Sequence, residues 1–438
     1  MISKIDIIGC EKIPEQKILP LIKTNLLFSE QNLKSQIQSI LSYYGNNGFP
    51  FTQIEPKDFY ANDTAHTVSF TLKIDEGPYV KIHDLKLQGT PVSNARIKQL
   101  IRFKANQPYS AYYKNKILQK IESQNLNVLD YQILEFDTNY LLQVDVKEKN
   151  NQTITGAVSY LPSQKEFNGF FNFDFNNLFS SLRKTQIGWE KTGKFTNFMI
   201  NYYDPYLLGF KINLNGNHNI NDTIYAKTNF NSDIGLDLSD LFSLNFILSY
   251  DQTATAIQNL SSFQTFWIGQ GFTLNYMNQP EYKINFNTML GTRNQTAQTQ
   301  IISRTSVESQ IFISSKNISF LNDIIFRNLY SKYELSISDS LYLGGTRTLR
   351  GFKENEFATD RFILTRNEFS FFRNKNINAF MLADIAYLNF SPHNLFKLGY
   401  GIGLNVKSRT SSAELSYAIP YPNNLLQGKI HLKLSNSF

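Results

Sequence analysis

Hydrophobic and polar residues follow two different patterns along the chain, and the change between them falls near residue 150. Before this point, hydrophobic residues recur at helical spacing in several short segments, as in residues 33–41. After it, they alternate with polar residues almost throughout, as in residues 242–250, 396–406 and 430–438. Alternation with a period of two is typical of β-strands that have one hydrophobic and one polar face. The pattern therefore predicts two structurally different parts.

Residues 1–79 are predicted to follow the order strand, helix, helix, strand, strand. Ile5 and Ile7 alternate with polar residues at the start, and two segments with helical spacing come next. Two glycines and a proline within residues 44–50 end the second helix, because these residue types do not continue a helix. Alternation over residues 68–74 then predicts a closing strand.

Residues 80–150 repeat this plan. A first strand, two helical segments and two further strands are predicted, the last of them over residues 142–148. Repetition of one supersecondary unit is typical of interaction arrays. We therefore predict two small α+β domains, residues 1–79 and residues 80–150.

Residues 151–438 are predicted to form an all-β unit. Nearly every strand has one hydrophobic and one hydrophilic face, and the sequence offers no helices to cover either face. One closed antiparallel sheet, with lipid outside and water inside, satisfies all of these strands and leaves no free edge in a bilayer. The length of the segment suits about 16 strands of ~10 residues with their connections. Alternation alone also fits a secreted array of β-sandwiches, such as an adhesin.

The amino-acid composition favours a membrane barrel over other classes of protein. Aromatic residues make up 14% of the 438 residues, a content that suits the aromatic girdles of a membrane barrel. No stretch approaches the roughly 18 consecutive apolar residues of a transmembrane helix, which argues against a helical membrane protein. The net charge of +7 comes from scattered Lys and Arg rather than from a basic run, so no nucleic-acid partner is expected.

The N-terminal residues lack the apolar core of a signal peptide. Because the rest of the sequence indicates export, we expect the leader to have been removed. The single cysteine, Cys10, excludes an internal disulfide. Lys4 and Asp6 stand where a lipidation signal needs apolar residues, so we expect Cys10 to lie at a strand-to-turn position.

The reactive side chains do not indicate an enzyme. Five histidines and one cysteine show neither metal-ligand spacing nor a nucleophile–base arrangement, so no catalytic residue, metal or cofactor is expected. Residues 399–403, Gly-Tyr-Gly-Ile-Gly, look like a dinucleotide-binding loop but lie within a predicted strand that no helix follows. We expect these glycines to give a smooth lumen surface or a sharp bend of the barrel wall.

Three short motifs in the first domain carry a resemblance to a known family. They are Ile-Asp-Ile-Ile-Gly at residues 5–9, Gly-Phe-Pro at residues 48–50 and Ile-Asp-Glu-Gly-Pro-Tyr at residues 74–79. The domain resembles a polypeptide-transport-associated (POTRA) domain, in which a Gly-Phe turn and a closing Glu-Gly-Pro pattern recur. Residues 80–150 resemble a second, more divergent copy.

Residues 344–352, Gly-Gly-Thr-Arg-Thr-Leu-Arg-Gly-Phe, resemble the Arg-Gly-Phe/Tyr loop of the outer-membrane assembly factors BamA and TamA and of the two-partner secretion transporters. In that family the loop folds back into the lumen, and its arginine contacts acidic residues on neighbouring strands. The resemblance implies a lumenal loop at about residues 331–360. It implies a latch formed by Arg350, Gly351 and Phe352 with Glu368 and Asp384. An arginine fork held by carboxylates fixes the geometry of a loop in a wet lumen, so the motif is interpreted as a latch and not as a catalytic site.

Two further features fit the same family. Asp204, Pro205 and Tyr206 resemble a strand-boundary motif of these barrels, and Phe438 resembles the aromatic end of an outer-membrane β-signal. The resemblance covers essentially the whole chain. It implies a bacterial outer-membrane protein whose N-terminal domains lie in the periplasm.

The resemblance implies a function in the assembly or insertion of outer-membrane proteins. The expected mechanism is pairing of an incoming strand at a seam between the first barrel strand, residues 153–161, and the last, residues 428–438. Small residues in the first strand and Pro162 at its end favour a weak pair. Expected partners are unfolded outer-membrane or secreted polypeptides, outer-membrane lipid, and accessory periplasmic or lipoprotein subunits.

Two other functions are considered. Export of a polypeptide through the lumen, as in two-partner secretion, is the alternative, and two POTRA-like domains suit it. A passive diffusion porin is the third reading, but a porin needs neither POTRA-like domains nor an Arg-Gly-Phe loop.

Overall fold

The computed structural model describes residues 1–24, 27–136, 139–149, 152–161, 166–222, 224–255, 262–276, 280–295, 298–374, 376–389, 394–408 and 411–437. The chain divides into two compact units, Met1–Lys149 and Asn150–Phe438. Among the described residues, no helix is both long enough and apolar enough to cross a bilayer.

The first unit begins with a small α/β module. Its elements are β1 (Ile2–Ile8), α1 (Glu15–Ile18), α2 (Glu30–Asn46), β2 (Gln53–Asn62) and β3 (Thr67–Asp75). The three strands form one sheet in the order β1-β3-β2, with β1 parallel to β3. Helix α2 begins where the side chain of Ser29 accepts a hydrogen bond from the backbone N–H of Asn32. Its buried residues Ile40 and Tyr44 pack with Phe70 and Leu72 of the sheet in one core.

The closing motif of this module is explained by Glu76. Its buried carboxylate accepts hydrogen bonds from the backbone N–H groups of Lys12 at 2.6 Å and Ile13 at 2.9 Å, and from the hydroxyl of Tyr44 at 3.0 Å. One carboxylate therefore joins the end of the module to the turn after β1 and to helix α2. Burial raises the pKa of Tyr44, and its hydrogen bonds to Cys10 and Glu76 act in the same direction.

A second module completes the first unit. Its elements are β4 (Lys81–Gln88), α3 (Asn94–Leu100), β5 (Gln107–Pro108), α4 (Ala111–Glu122), β6 (Leu126–Phe136) and β7 (Asn139–Glu148). The sheet order is β5-β4-β7-β6, so the repeat carries one short strand that the pattern of hydrophobic residues did not predict. Leu85, Ile121 and Val144 are almost completely buried and form part of its interior.

The second unit is a barrel of 16 antiparallel strands, which confirms the predicted fold class. In chain order, the elements are β8 (Thr153–Leu161), β9 (Glu166–Asn176), β10 (Lys184–Thr192), β11 (Phe195–Leu207), β12 (Phe210–Asn221), β13 (Tyr225–Asp237), β14 (Phe242–Thr255), β15 (Phe263–Tyr276), β16 (Glu281–Gln295), β17 (Gln298–Ser314), β18 (Ser319–Ser331), the short pair β19 (Leu341–Leu343) and β20 (Phe357–Thr359), β21 (Arg361–Arg373), β22 (Ile377–Asn389), β23 (Asn394–Lys407), β24 (Ser411–Pro420) and β25 (Lys429–Ser437). All except β19 and β20 belong to the wall.

The alternation of residues along the strands separates two faces of the wall. In β15, for example, Phe266 and Ile268 are more than half exposed on the outside, whereas Trp267 between them is 3% exposed. The outer face is apolar and suits contact with lipid tails. The inner face is polar in most places, but near Trp267 it is hydrophobic and covered.

The loop between β18 and β21, residues 332–360, covers this part of the inner face. It contains a 3₁₀-helix, Ile337–Asp339, and the short pair β19–β20. Its side chains contact strands β10, β13, β16, β22 and β25, which are distributed around the barrel. A single loop reaches all of these strands only from inside a closed sheet, so it lies in the lumen.

The barrel closes between β8 and β25 through a short pairing. Among the described residues, the register partners across this seam are Thr153–Ser437, Ile154–Asn436 and Thr155–Ser435. In contrast, β16 is paired with β17 along its whole length, from Glu281–Phe312 to Gln295–Gln298. Among the described residues, residues 156–161 of β8 and 429–434 of β25 have no partner across the seam.

Candidate functional site

The arginine of the Arg-Gly-Phe motif forms a buried fork with one carboxylate. The Nε and Nη2 atoms of Arg350 donate to the two carboxylate oxygens of Asp384 at 2.8 and 2.7 Å. Its Nη1 atom donates to Glu368 at 2.5 Å. Arg350 is 1% exposed and Asp384 is completely buried. The structure thus brings together Arg350, Glu368 and Asp384, and we call this group the Arg350 latch.

The backbone of the motif also contacts the wall. The backbone N–H of Arg350 donates to Asp384 at 3.0 Å, which gives this carboxylate three donors from one residue. Gly399 of β23 permits this approach, because a Cβ atom at that position would collide with the carbonyl oxygen of Arg350. The role of Gly399 is therefore close contact with the loop rather than only a smooth surface. Gly351 has a φ of +94°, a conformation that other residues rarely adopt.

Phe352 completes the motif by packing into the wall. It is 6% exposed and belongs to a hydrophobic cluster with Leu349 of the loop and Leu364 and Leu388 of the wall. Its ring lies 5.2 Å from that of Phe357, in an edge-to-face arrangement. The aromatic residue of the motif therefore anchors the loop by hydrophobic contact beside the buried ion pair.

A second charged cluster holds the beginning of the loop, and the sequence analysis missed it. Nη1 and Nη2 of Arg293 on β16 donate to the carboxylate oxygens of Asp339 at 2.7 and 2.9 Å. Nζ of Lys227 on β13 lies 3.5 Å from the same carboxylate and 3.6 Å from Asp251 on β14. Arg304 on β17 contacts Asp251 at 3.3 Å. We call this group the Asp339 anchor.

The centre of the Asp339 anchor is buried, whereas Arg304 at its edge is 34% exposed. The side chains of Arg293 and Asp339 are each 2% exposed, and the guanidinium of Arg293 lies 4.1 Å from the ring centroid of Phe263. The indole N–H of Trp267 donates to Asp251 at 3.1 Å. Because the charges are buried, removal of one partner leaves an uncompensated charge, which costs about 3–5 kcal/mol.

The two charged groups have opposite polarity. In the Arg350 latch, the loop supplies the cation and the wall supplies the acids. In the Asp339 anchor, the loop supplies the acid and the wall supplies cations. One local signal could have indicated Asp339: Ser336 and Asp339 form a capping box around the 3₁₀-helix, with the N–H of Ser336 donating to Asp339. The wall partners stand at alternating polar positions that look like any other lumen residue.

The remaining sequence-predicted residues lie elsewhere. Asp204, Pro205 and Tyr206 are at the end of β11, where the pairing with β12 shifts register. The buried carboxylate of Asp204 accepts from Nε of Arg183 at 2.8 Å and from the N–H of Tyr206 at 2.9 Å. Pro162 and Phe438 lie outside the described residues, as do the side chains of residues 157–161.

Neither charged group has the form of a metal site. Over the described part of the chain, no three His, Cys, Asp or Glu side chains are grouped so as to hold a metal ion. The acids of the latch and the anchor are instead occupied by arginine and lysine. Their chemistry is that of positioning a loop.

Two family models match parts of the sequence. Residues 1–77 match the POTRA model, described as surface antigen variable number repeat. Residues 271–406 match the model described as haemolysin secretion/activation protein ShlB/FhaC/HecB, a segment that includes the lumenal loop and the Arg350 latch. No curated protein matches the chain.

Several solved structures share the fold over the whole chain. BamA from Haemophilus ducreyi lacking POTRA domains 1–3 is similar with a TM-score of 0.67 and 14% identity, covering 100% of both chains. CdiB from Acinetobacter baumannii is similar with a TM-score of 0.60 and 14% identity, and CdiB from Escherichia coli with 0.58 and 12%; each comparison covers 100% of this chain and 90% of the other.

The comparisons agree with each other along the chain. The N-terminus matches a POTRA model, part of the barrel matches a secretion/activation family model, and the fold is shared over the full length with a BamA and two CdiB proteins. In fold, the protein is an N-terminal POTRA-like α/β region followed by a 16-stranded β-barrel.

Proposed function

We propose that this protein assembles outer-membrane β-barrel proteins by pairing an incoming strand at the seam between β8 and β25. The observation that carries the proposal is the length of the seam. Within the part of the chain that the structure describes, three register pairs close the seam, whereas nine join β8 to its other neighbour, β9. A strand of an incoming outer-membrane protein, which we call the client, can replace a short pairing at a lower cost in free energy than a long pairing.

The unpaired section of the seam offers backbone hydrogen-bonding groups to an incoming strand. Residues 156–161 and 429–434 are in extended conformation and are paired on their other side with β9 and β24, so the backbone N–H and C=O groups of alternate residues point toward the seam. In lipid, each unsatisfied backbone group costs several kcal/mol. Pairing with an extended polypeptide satisfies these groups, which makes strand addition favourable.

The POTRA region is proposed to deliver the polypeptide from the periplasm. Strands β2 and β6 are the edges of their sheets, so each offers one free row of backbone groups. On β6, Leu129 is 67% and Phe136 is 72% exposed, which suits contact with an unfolded apolar segment. Proposed partners are thus unfolded outer-membrane polypeptides and the surrounding outer-membrane lipid, with accessory periplasmic or lipoprotein subunits as a further prediction.

The lumenal loop is proposed to keep the rest of the wall rigid while the seam moves. The Arg350 latch ties the loop to β21 and β22, and the Asp339 anchor ties it to β13 and β16. These strands lie away from the seam. Opening therefore concentrates at β8 and β25, where the pairing is weakest.

Export of a polypeptide through the lumen is a second candidate. It is favoured by the match of residues 271–406 to the secretion/activation family model. A polar cavity of about 760 Å³, lined by residues of β8 to β17 such as Asn201, Asn213 and Asn285, also offers space inside the barrel. Export requires the loop to leave the lumen, and both charged groups oppose this movement. We therefore favour assembly at the seam.

A reversible crosslink across the seam tests the proposal. With Cys10→Ser as background, Thr155→Cys and Ser435→Cys place two thiols at register partners of β8 and β25. Oxidation is expected to abolish insertion of a client barrel into lipid vesicles, and a reductant is expected to restore it. Thr288→Cys and Thr305→Cys form the matched control, since these register partners on β16 and β17 have hydroxyls 3.5 Å apart.

The outcomes separate the three functions. If the oxidised seam variant inserts clients at the wild-type rate, lateral opening is not the mechanism. If it loses no export of a secreted polypeptide, the lumenal route is correct. If only solute flux is detected, and it is indifferent to the crosslink, the protein is a porin.

A further inference from the structure

The loop segment next to the Arg350 latch contacts the wall on both sides of the seam. The hydroxyl of Thr346 lies 3.0 Å from Nδ1 of His431, and the backbone N–H of Gly351 donates to Nε2 of the same ring at 3.3 Å. His431 belongs to β25, the last strand. The guanidinium of the next residue, Arg347, forms an ion pair with Glu190 on β10.

The hydrogen bonds of His431 define which of its two ring nitrogens carries the proton in the neutral ring. A backbone N–H only donates, so Nε2 of His431 must accept from Gly351. In the neutral ring the proton then sits on Nδ1 and is donated to the hydroxyl of Thr346. His431 is 8% exposed, and both of its ring nitrogens are bound by the loop. The loop therefore satisfies the only polar atoms of this side chain.

His431 lies in a part of the last strand that strand pairing does not hold to the first strand. It lies within residues 429–434, the section of β25 that has no partner in β8 among the described residues. Going around the wall from β25 to β10, the chain crosses β8 and then β9. Two adjacent loop residues thus bind strands on the two sides of the seam, at the place where strand pairing does not hold it.

The segment that carries these residues is itself held firmly. The backbone N–H of Thr346 donates to Glu354 at 2.6 Å, across the turn of the loop. Nη1 of Arg366 on β21 donates to the carbonyl oxygen of Arg347 at 3.2 Å. The Arg350 latch follows within four residues. Thr346 and Arg347 are therefore presented from a fixed base rather than from a free loop.

We propose that Thr346 and Arg347 form an internal clasp that holds the seam closed from the lumen, with His431 and Glu190 as its two wall sites. The inference deepens the proposed function, since it names the contacts that must be released before a client strand enters. All four are positioning residues. The two arms differ in strength: the His431 arm is buried, whereas Arg347 is 65% exposed and its ion pair is weakened by water.

Hydrogen exchange in the intact protein tests the clasp directly. The variant Thr346→Val/Arg347→Gln removes both arms and leaves Arg350 in place. Exchange of backbone amides in β25 and β8 is expected to rise about tenfold, as the loss of one or two hydrogen bonds predicts, while β15 and β16 exchange as before. Thr346→Ser with Arg347 retained keeps the hydroxyl and is expected to restore slow exchange in β25.

A substitution in the wall and a matched control complete the set of variants. Glu190→Gln weakens the second arm from the wall without touching the loop, so it reports on the clasp even if the double variant folds poorly. Arg327→Gln is the matched control, because Arg327 forms a comparable exposed pair with Glu308 between β18 and β17 at 3.0 Å. The clasp is wrong if seam exchange is unchanged in the double variant and in Glu190→Gln. It is equally wrong if exchange rises by the same factor in every strand.

Client insertion, measured on the same samples, separates this inference from the proposed function. Faster seam exchange together with an altered insertion rate supports both. Faster seam exchange with insertion at the wild-type rate supports the clasp and contradicts assembly at the seam. Unchanged seam exchange with an altered insertion rate overturns the clasp and leaves the proposed function standing.

Discussion

Asp384 receives three hydrogen bonds from Arg350, two from the guanidinium and one from the backbone N–H. The pair therefore fixes both the side chain and the main chain of the loop at one point of the wall. A lysine has a single charged centre and cannot reproduce the two-pronged contact.

The Arg350 latch predicts a specific loss of stability. Arg350→Ala leaves the carboxylate of Asp384 buried without its cation, which costs about 3–5 kcal/mol. We expect a folded barrel whose unfolding temperature is lower on heat-modifiability gels, and whose client insertion is reduced. Arg350→Lys should fall between the two. If Arg350→Ala equals the wild type in both measurements, the latch has no such role.

Charge reversal provides a complementary test of the same pair. Arg350→Glu combined with Asp384→Arg restores opposite charges, but the backbone N–H of residue 350 then faces a cation instead of an acceptor. Partial and not full recovery of the unfolding temperature is therefore expected relative to Arg350→Glu alone. No recovery at all would show that the two side chains do not act as a pair.

The Asp339 anchor predicts release of the first half of the loop. Asp339→Asn removes the charge that faces Arg293 and Lys227, and we expect a cost of about 3 kcal/mol or more for the buried cations. Limited trypsin digestion should then cut at Lys332, which the wild type protects longer. Asp323→Asn on β18 is the control, because it removes the charge of a carboxylate that accepts a hydrogen bond from Gln310 at an exposed site. Equal cleavage rates in wild type and Asp339→Asn would rule out this anchor.

Glu76 is expected to determine the stability of the first POTRA module. Glu76→Ala leaves two backbone N–H groups and the hydroxyl of Tyr44 without their acceptor, at a cost of about 3 kcal/mol. Thermal unfolding followed by circular dichroism should show an earlier transition for the α/β part. Glu55→Ala, at an exposed ion pair with Lys57, should change it by less than about 1 kcal/mol. Equal effects of the two substitutions would disprove the special role of Glu76.

The pH dependence of Cys10 alkylation follows from its surroundings. Burial raises the pKa of the Cys10 thiol, and the carboxylates of Glu76 and Glu15 add to this effect. Because the thiolate is the reactive form, a raised pKa means that less of it is present at any given pH. The midpoint of alkylation rate against pH should therefore lie above that of the exposed control Cys10→Ser/Ser39→Cys. A lower or equal midpoint for Cys10 would contradict this account.

Removal of the POTRA region separates a polypeptide handler from a pore. A chain lacking residues 1–150 is expected to insert into membranes, since the barrel unit contains its own complete sheet. It should lose most client insertion, measured against the full chain in the same vesicles. A porin would keep its solute flux and lose nothing else. Unchanged client processing by the truncated chain would count against the proposed function.

The fold was predictable because its signals are local. Period-two alternation identifies strands wherever they lie, and a run with one apolar and one polar face defines the wall of a barrel. The Arg350 latch was also accessible, since its motif is contiguous and its acids lie on the two following strands. Contacts of that kind need no knowledge of the barrel's register.

The Asp339 anchor was not predictable for the opposite reason. Lys227, Arg293 and Asp339 come from three distant parts of the chain, and only the closed barrel brings them together. The place of the seam was expected from the first and last strands, but the length of its pairing was not, because alternation looks the same in a strand with one partner and in a strand with two. In the sequence, His431 likewise looks like an ordinary polar residue of an alternating strand.

The opposite polarity of the two charged groups divides the inner wall into sectors. Strands β21 and β22 present Glu368 and Asp384, whereas β13, β16 and β17 present Lys227, Arg293 and Arg304 with Asp251 among them. With the loop in place, Arg350 and Asp339 each offset part of the charge of the sector that they face. When the loop is displaced, an acidic sector and a basic sector are left on the inner wall, separated by β18. A polypeptide that took the place of the loop would fit best with its basic side chains against β21 and β22 and its acidic side chains against β13, β16 and β17, so we expect the interior of the barrel to select polypeptides by their charge pattern.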